Sequence, residues 1–302
     1  MRISVIGAGA MGCLYGAYLS TKNEVCLIVH KKEQADAINK EGIAMMENGK
    51  EFLFNIPAYT TGDDVGHVDL IIVAVKSTAT ESAIKENLSL VADDTLVMTI
   101  QNGAGNDEEI AKYVDGRRVI VGTTSHNSVS LGVGKFQHAG TGMTTIGSTH
   151  ASMENVILLA SVLKESGIEA VVSENINKVI WSKLILNTTI NTFATLMDCK
   201  VNCILKSDYA WDYIKMVVRE VVQVAELDGV HFEYEEALEW VHKTCIAIGN
   251  GYPSMLQDRR NKRLTEIDKI NGTVVRKAEK YGIEVPCNRL IVDMVHCLEE
   301  LY

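Results

Sequence analysis

Apolar residues in the first half of the chain fall in short runs of strand length: Ile3 to Ile6, Val25 to Val29, Leu70 to Val75, Leu96 to Ile100 and Val119 to Gly122. Nearly continuous runs of this kind predict strands buried on both faces, as in a parallel sheet covered by helices. The stretch Ala10 to Leu19 between the first two reads as a helix. From Gly134 to Gly147 the pattern changes. Lys135-Phe136-Gln137-His138 and Met143-Thr144-Thr145-Ile146 alternate, which predicts short strands in an antiparallel appendage. Beyond Ser173 the strand pattern stops. Helical periodicity predicts elements over 177–197, 209–227, 235–248, 256–281 and 289–301. Gly229, Gly249 to Gly251 and Gly282 through Pro286 are the stop signals between them. The expectation is an α/β domain with a parallel sheet over residues 1–172, followed by an all-α domain over 173–302. No internal repeat or low-complexity segment interrupts either.

The bulk numbers fit that division. A chain of 302 residues, 47% hydrophobic with three prolines, can build two cores and leaves little linker. Its formal net charge of -10 disfavours nucleic acid as a partner. Seven cysteines, an odd number with no C-x-x-C pair, read as thiols in a reducing cytoplasm. Cys199 and Cys203 stand four apart without a His or carboxylate at ligand spacing, so no metal site is expected. The first residues run straight into glycines rather than a secretory core, and no apolar stretch reaches membrane-spanning length.

Gly7-Ala8-Gly9-Ala10-Met11-Gly12 is a G-x-G-x-x-G placed after a predicted strand and opening a predicted helix. That context makes it a dinucleotide-binding turn of the Rossmann kind. Gly7 makes the tight turn, Gly9 lets backbone approach a pyrophosphate, and Gly12 lets the helix pack on the sheet. The helix N-terminus offers N–H groups and partial positive charge to the phosphates. At the tip of the second strand an NAD enzyme usually carries an acid for the ribose 2′-hydroxyl. Here the tip is His30-Lys31-Lys32, which suits a 2′-phosphate and hence NADP.

In an open parallel sheet, ligands bind beyond the C-terminal strand ends. Two such ends carry Lys76 and Asn102. Each alone reads as an ordinary solvated lysine or an Asn-Gly turn; on the same rim as the glycine turn they become candidates for ligand contact. In the helical half, Lys183, Asn187 and Asn191 share one helix face at i, i+4, i+8. A solvated polar stripe would look the same, but mid-helix asparagines cost propensity among Leu184, Ile185 and Ile190. Ser254 with Gln257 has the spacing of a helix N-cap, and such a start also suits a carboxylate. Glu266 is either a surface partner of Lys262 or Lys269 or a site acid.

Taken together, these segments resemble ketopantoate reductases (2-dehydropantoate 2-reductases) over nearly the whole chain. The likeness rests on the glycine turn, Val75-Lys76, Gln101-Asn102-Gly103 and Gly122-Thr123-Thr124-Ser125-His126. It continues through Trp181-Ser182-Lys183-Leu184 with Asn187 and Asn191, then Ser254 through Asp258, and Thr265-Glu266-Ile267-Asp268-Lys269-Ile270-Asn271-Gly272. The resemblance implies that Lys183 is the general acid and that Glu266 is the acid beside the nicotinamide ribose and substrate. It also implies that Asn187 and Asn191 bind substrate, that Asn102 touches nicotinamide and substrate, that Ser254 contacts the substrate carboxylate, and that Ser128 contacts the cofactor through its backbone. The chain departs from the family pattern at His30, at Thr192-Phe193-Ala194, near Val201, and at Asn250-Gly251-Tyr252-Pro253. The implied activity is NADPH-dependent reduction of 2-dehydropantoate to pantoate, in pantothenate biosynthesis. The partner would be a small 2-keto acid, with neither nucleic acid nor membrane, and a homodimer is left open as the assembly. The competing readings are a D-2-hydroxyacid dehydrogenase acting on another 2-keto acid, and a catalytically silent NADP-binding protein.

Overall fold

A computed structural model describes residues 1–302. The residues cluster into two compact units: Met1–Gln101 with Asn106–Ile176, and Asn102–Gly105 with Asn177–Tyr302. The short Asn102–Gly105 segment thus packs with the helical half although it lies in the first half of the sequence.

The first unit is built on twelve strands. They are β1 (Arg2–Ile6), β2 (Glu24–Ile28), β3 (Ile43–Glu47), β4 (Lys50–Phe54), β5 (Ala58–Tyr59), β6 (Leu70–Val73), β7 (Leu96–Thr99), β8 (Val119–Thr124), β9 (Asn127–Gly132), β10 (Lys135–Gly140), β11 (Thr144–Gly147) and β12 (Ala170–Val172). Eight of them form one mostly parallel sheet in the order β12-β11-β8-β7-β6-β1-β2-β5. Helices α1 (Ala10–Leu19), α2 (Lys32–Glu41), α3 (Thr80–Lys85), α4 (Asn106–Ile110) and α5 (Met153–Glu165) accompany the strands. Alternate residues of the central strands feed two cores. Ile3, Val5, Leu70, Ile72 and Met98 join the core shared with α1 and α5. Ile6, Ile71, Val73 and Val97 join the one shared with α3 and α4. Burial on both faces is why these strands read as unbroken apolar runs.

The expected antiparallel appendage divides differently. β10 does enter a separate four-stranded sheet, β4-β3-β10-β9, antiparallel to β9 but parallel to β3. β11 instead joins the main sheet, antiparallel to β8. The β3–β4 hairpin turns at Asn48 and Gly49, both at positive φ (50° and 76°).

The second unit is helical: α6 (Ile176–Leu186), α7 (Thr192–Met197), α8 (Asp208–Leu227), α9 (Tyr234–Ile248), α10 (Ser254–Arg260), α11 (Asn271–Tyr281) and α12 (Pro286–Glu299). α8 runs through its core, burying Ile214, Val217, Val218, Val221 and Val224 at helical spacing. Two expected helices are corrected. The 177–197 element is continuous but contains a π turn over Asn187–Asn191 between α6 and α7. The 256–281 element is three pieces: α10, a 3-10 turn at Ile267–Lys269, and α11. α10 ends because Lys262 takes a left-handed conformation (φ 52°). The Lys262 N–H then bonds the Arg259 carbonyl and the Arg263 N–H the Asp258 carbonyl. That pair of bonds closes a helix C-terminus, and glycine usually takes the left-handed position, so the stop carried no sequence signal.

Candidate active site

In the first unit the glycine motif turns from β1 into α1. Gly7 adopts φ 105°, a conformation that strains any residue with a Cβ. Its N–H bonds the Ile28 carbonyl, tying the turn to the end of β2. Gly9 is the N-cap of α1, and a Cβ built there meets nothing within 4 Å. A Cβ on Gly12 would stand 1.8 Å from the Gly7 carbonyl oxygen, so helix and turn pack too closely for a side chain. A cavity of about 710 Å³ opens over this turn. Gly7, Ala8 and Gly9 line it, with His30 and Lys31 just beyond β2 and Glu33 in the first turn of α2. Ala10 and Met11 form the first turn of α1 and are not among its lining residues. Ser128, in β9, donates its hydroxyl to the Ala10 carbonyl at 3.1 Å, fixing that strand against the start of α1. Lys76 lies exposed just beyond β6. The open space over Gly9 leaves room for a dinucleotide to approach the turn, and His30, Lys31, Glu33 and Glu86 put charges of both signs around the cavity.

The second unit gathers most of the other candidates. Asn102 donates through Nδ2 to Glu266 Oε2 at 3.2 Å. Gly103 makes this meeting possible: at φ 86°, a Cβ there would fall 2.3 Å from the Lys269 carbonyl oxygen. The next amide, Ala104 N–H, bonds that same carbonyl at 3.1 Å. The Asn-Gly pair therefore does more than turn the chain; it docks Asn102 on the segment that carries Glu266. Glu266 is 8% exposed and directly precedes the 3-10 turn.

Lys183 is half-buried on α6. Burial pushes its ammonium down to about 8, and the Glu266 carboxylate pulls the other way. α6 is held from behind by Asp228, which accepts from Trp181 Nε1 (3.0 Å), Lys277 Nζ (2.8 Å) and Tyr281 OH (2.6 Å). One turn on, Asn191 Nδ2 donates to Asn187 Oδ1 at 3.1 Å. Asn187 is buried, so the polar stripe is not a solvated one. Ser254 is exposed at the first position of α10, not at its cap. Pro253 takes the cap position, and Gln257 Nε2 donates to the Tyr252 carbonyl instead of closing a capping box.

Sequence reasoning passed over the threonines of the π turn. Thr189 Oγ1 donates to the Ile185 carbonyl (2.6 Å) and Thr192 Oγ1 to the Thr188 carbonyl (2.5 Å). These hydroxyls serve backbone acceptors that the widened turn redistributes. Three threonines within five residues of an apolar helix were the available signal. All seven cysteines are free thiols, and no group of three or more His, Cys, Asp or Glu side chains is arranged to hold a metal ion. No helix is long and apolar enough to cross a membrane.

A parallel sheet with a glycine turn at its first strand end, joined in sequence to a helical unit carrying a half-buried lysine and a buried carboxylate, defines a class: the Rossmann-type, nicotinamide-dependent oxidoreductases. Comparison with known proteins narrows it. Residues 3–151 match the family model described as ketopantoate reductase PanE/ApbA, and residues 175–299 match its C-terminal counterpart. The chain belongs to the ketopantoate reductase family. It is 33% identical over 309 residues to a 2-dehydropantoate 2-reductase of Lactococcus lactis, covering 100% of this chain and 99% of that one. It is 30% identical to one of Streptococcus pyogenes, covering 99% and 98%. Among solved structures, a D-mandelate dehydrogenase with NADH and anilino(oxo)acetate superposes with a TM-score of 0.93 at 32% identity, covering 99% of both chains.

Proposed function

We propose that the chain reduces 2-dehydropantoate to pantoate with NADPH, in the cytoplasm, as a step of pantothenate biosynthesis. The observation that carries this reading is Lys183. It is a half-buried ammonium lowered to about 8 and held in the field of Glu266, on the helix that leads into the Asn187–Asn191 pair. A proton donor should have a pKa near the working pH. Lys183 Nζ would give its proton to the keto oxygen as that oxygen becomes a hydroxyl, and its charge would stabilise the developing alkoxide. The reduced nicotinamide, when bound, supplies the hydride. Asn187 and Asn191 would orient the keto acid, Ser254 would take its carboxylate, and Asn102 would be aimed by its bond to Glu266. Gly7 to Gly12 would receive the pyrophosphate, with Lys76 and Ser128 as further cofactor contacts. His30 and Lys31 favour the 2′-phosphate of NADPH.

A second reading keeps the chemistry and changes the substrate. The likeness to a D-mandelate dehydrogenase favours a 2-keto acid with a larger side chain. Cofactor oxidation with 2-dehydropantoate and with phenylglyoxylate, each under NADPH and NADH, separates the two. The proposal expects the highest kcat/KM for 2-dehydropantoate with NADPH. Higher efficiency with phenylglyoxylate would transfer the assignment to the second reading. Tight NADPH binding without turnover of any 2-keto acid would make the chain a binding protein.

A further inference from the structure

Within the helical unit, a line of buried polar groups runs from α8 to the π turn. The Glu220 carboxylate accepts from the backbone N–H groups of Cys287 (2.8 Å) and Asn288 (2.9 Å), at the start of α12, and from Asn288 Nδ2 (2.8 Å). Because a carboxylate engaged by two backbone donors acts as acceptor, Asn288 must turn its NH₂ toward it. The Asn288 amide oxygen then faces the other way and accepts from Asn271 Nδ2 at 3.0 Å. The same nitrogen donates its second hydrogen to the Thr188 carbonyl, inside the π turn, at 3.2 Å. Asn271, Asn288 and Thr188 are wholly buried. Glu220 therefore dictates which way every amide in the line points.

The turn so held decides how the site side chains line up. In an α-helix, four residues overshoot a full turn by about 40°, so Asn191 would lie roughly 80° round the helix from Lys183. A π turn takes more residues per turn, and there four residues fall short of a full one. The overshoot from Lys183 to Asn187 is offset by the shortfall from Asn187 to Asn191. The three side chains come back toward one line.

We propose that Asn271, oriented by Glu220 through Asn288, is a positioning residue that holds the π turn and thereby aligns Asn187 and Asn191 with Lys183. The inference rests on the reading that these two amides bind the keto acid. The experiment compares Asn271→Ala, Asn187→Ala, their double variant and Glu220→Gln for kcat, keto-acid KM and NADPH KM. Asn271→Ala is expected to raise keto-acid KM roughly ten-fold, more than it lowers kcat, and to leave NADPH KM unchanged. Its effect should combine less than multiplicatively with that of Asn187→Ala. Glu220→Gln, nearly isosteric, should raise keto-acid KM in the same direction by reversing the amide line. A well-folded Asn271→Ala with wild-type KM, or fully multiplicative effects, overturns the inference. If Asn271→Ala does not fold, an unchanged KM in Glu220→Gln overturns it. An unchanged KM in Asn187→Ala overturns the underlying reading and the inference with it. A raised KM there beside a wild-type Asn271→Ala removes the inference alone.

Discussion

Asn102 and Glu266, 164 residues apart in sequence, are joined by a hydrogen bond of 3.2 Å from the Asn102 amide to the carboxylate. The bond aims the amide and keeps one carboxylate oxygen as an acceptor. Glu266 in turn raises the proton affinity of Lys183 against the burial that lowers it. One carboxylate thus touches one group of the proposed mechanism and electrostatically supports the other.

Removing that charge should move the pH profile. If Lys183 is the proton donor, activity requires its protonated form and falls as pH rises through about 8. Glu266→Gln leaves burial as the dominant influence, so the ammonium should titrate lower and the alkaline limb of kcat/KM should shift to lower pH. Profiles of the wild type and the variant, taken side by side, check this. A limb that stays in place would uncouple Glu266 from Lys183.

Lys183 should also cost stability. Its folded value, about 8, lies below the ordinary 10.5. Between those pH values the unfolded chain binds more protons than the folded one, so stability from this group rises with pH across that window. At neutral pH the buried charge is a net cost. Lys183→Met is expected to stabilise the fold at pH 7 by roughly 1–3 kcal/mol. The same variant should lower kcat by roughly 10²–10⁴-fold with little change in NADPH affinity. Urea unfolding and steady-state kinetics on the one variant test both halves. A destabilised protein with full kcat would remove Lys183 from the mechanism.

The sequence was most legible where one residue carries one structural demand. Gly7, Gly9 and Gly12 had distinct steric duties, and the buried strands announced themselves by burial on both faces. It was least legible where an unusual residue met a common demand. Lys262 takes the left-handed position that closes α10, so α10 and α11 read as one helix. The Asn48-Gly49 hairpin carried a turn signal that the strand reading passed over, although β3 and β4 on either side of it are rich in apolar residues. The π turn left only its threonines as a trace, since an i, i+4, i+8 stripe fits an α-helix equally well. No local pattern could report that Asn102–Gly105 packs with the helical unit. That grouping depends on Gly103 fitting against Lys269, a contact between distant segments.

The glycine turn offers a paired test of cofactor binding against folding. Nothing stands within 4 Å of a Cβ built on Gly9, so Gly9→Val should fold and lose NADPH binding. Gly12→Ala forces a methyl to 1.8 Å from the Gly7 oxygen and should destabilise the unit by roughly 1–3 kcal/mol or more. Calorimetric titration with NADPH and thermal melts of both variants decide the matter. Unaltered NADPH affinity in Gly9→Val would show that the dinucleotide does not approach this backbone.

On the NADPH proposal, cofactor selectivity should rest on the rim of the same cavity. His30 and Lys31 line it at the end of β2, and Lys31 caps α2, whose N-terminus adds partial positive charge. Glu33 lines it too and would repel a 2′-phosphate. A lysine–phosphate hydrogen bond joins two opposite charges, whereas the ribose hydroxyl of NADH offers the ammonium only a neutral acceptor. Lys31→Ala is therefore expected to lower kcat/KM for NADPH roughly ten-fold while leaving NADH nearly unchanged. Glu33→Gln should move the ratio the other way, by relieving repulsion of the phosphate. Added salt should weaken NADPH more than NADH, because exposed charges are screened. The measurement is the ratio of kcat/KM for the two cofactors in wild type, Lys31→Ala and Glu33→Gln at fixed ionic strength. A ratio that favours NADH in the wild type, or stays constant across the three, would mean that the cationic tip of β2 does not read the phosphate.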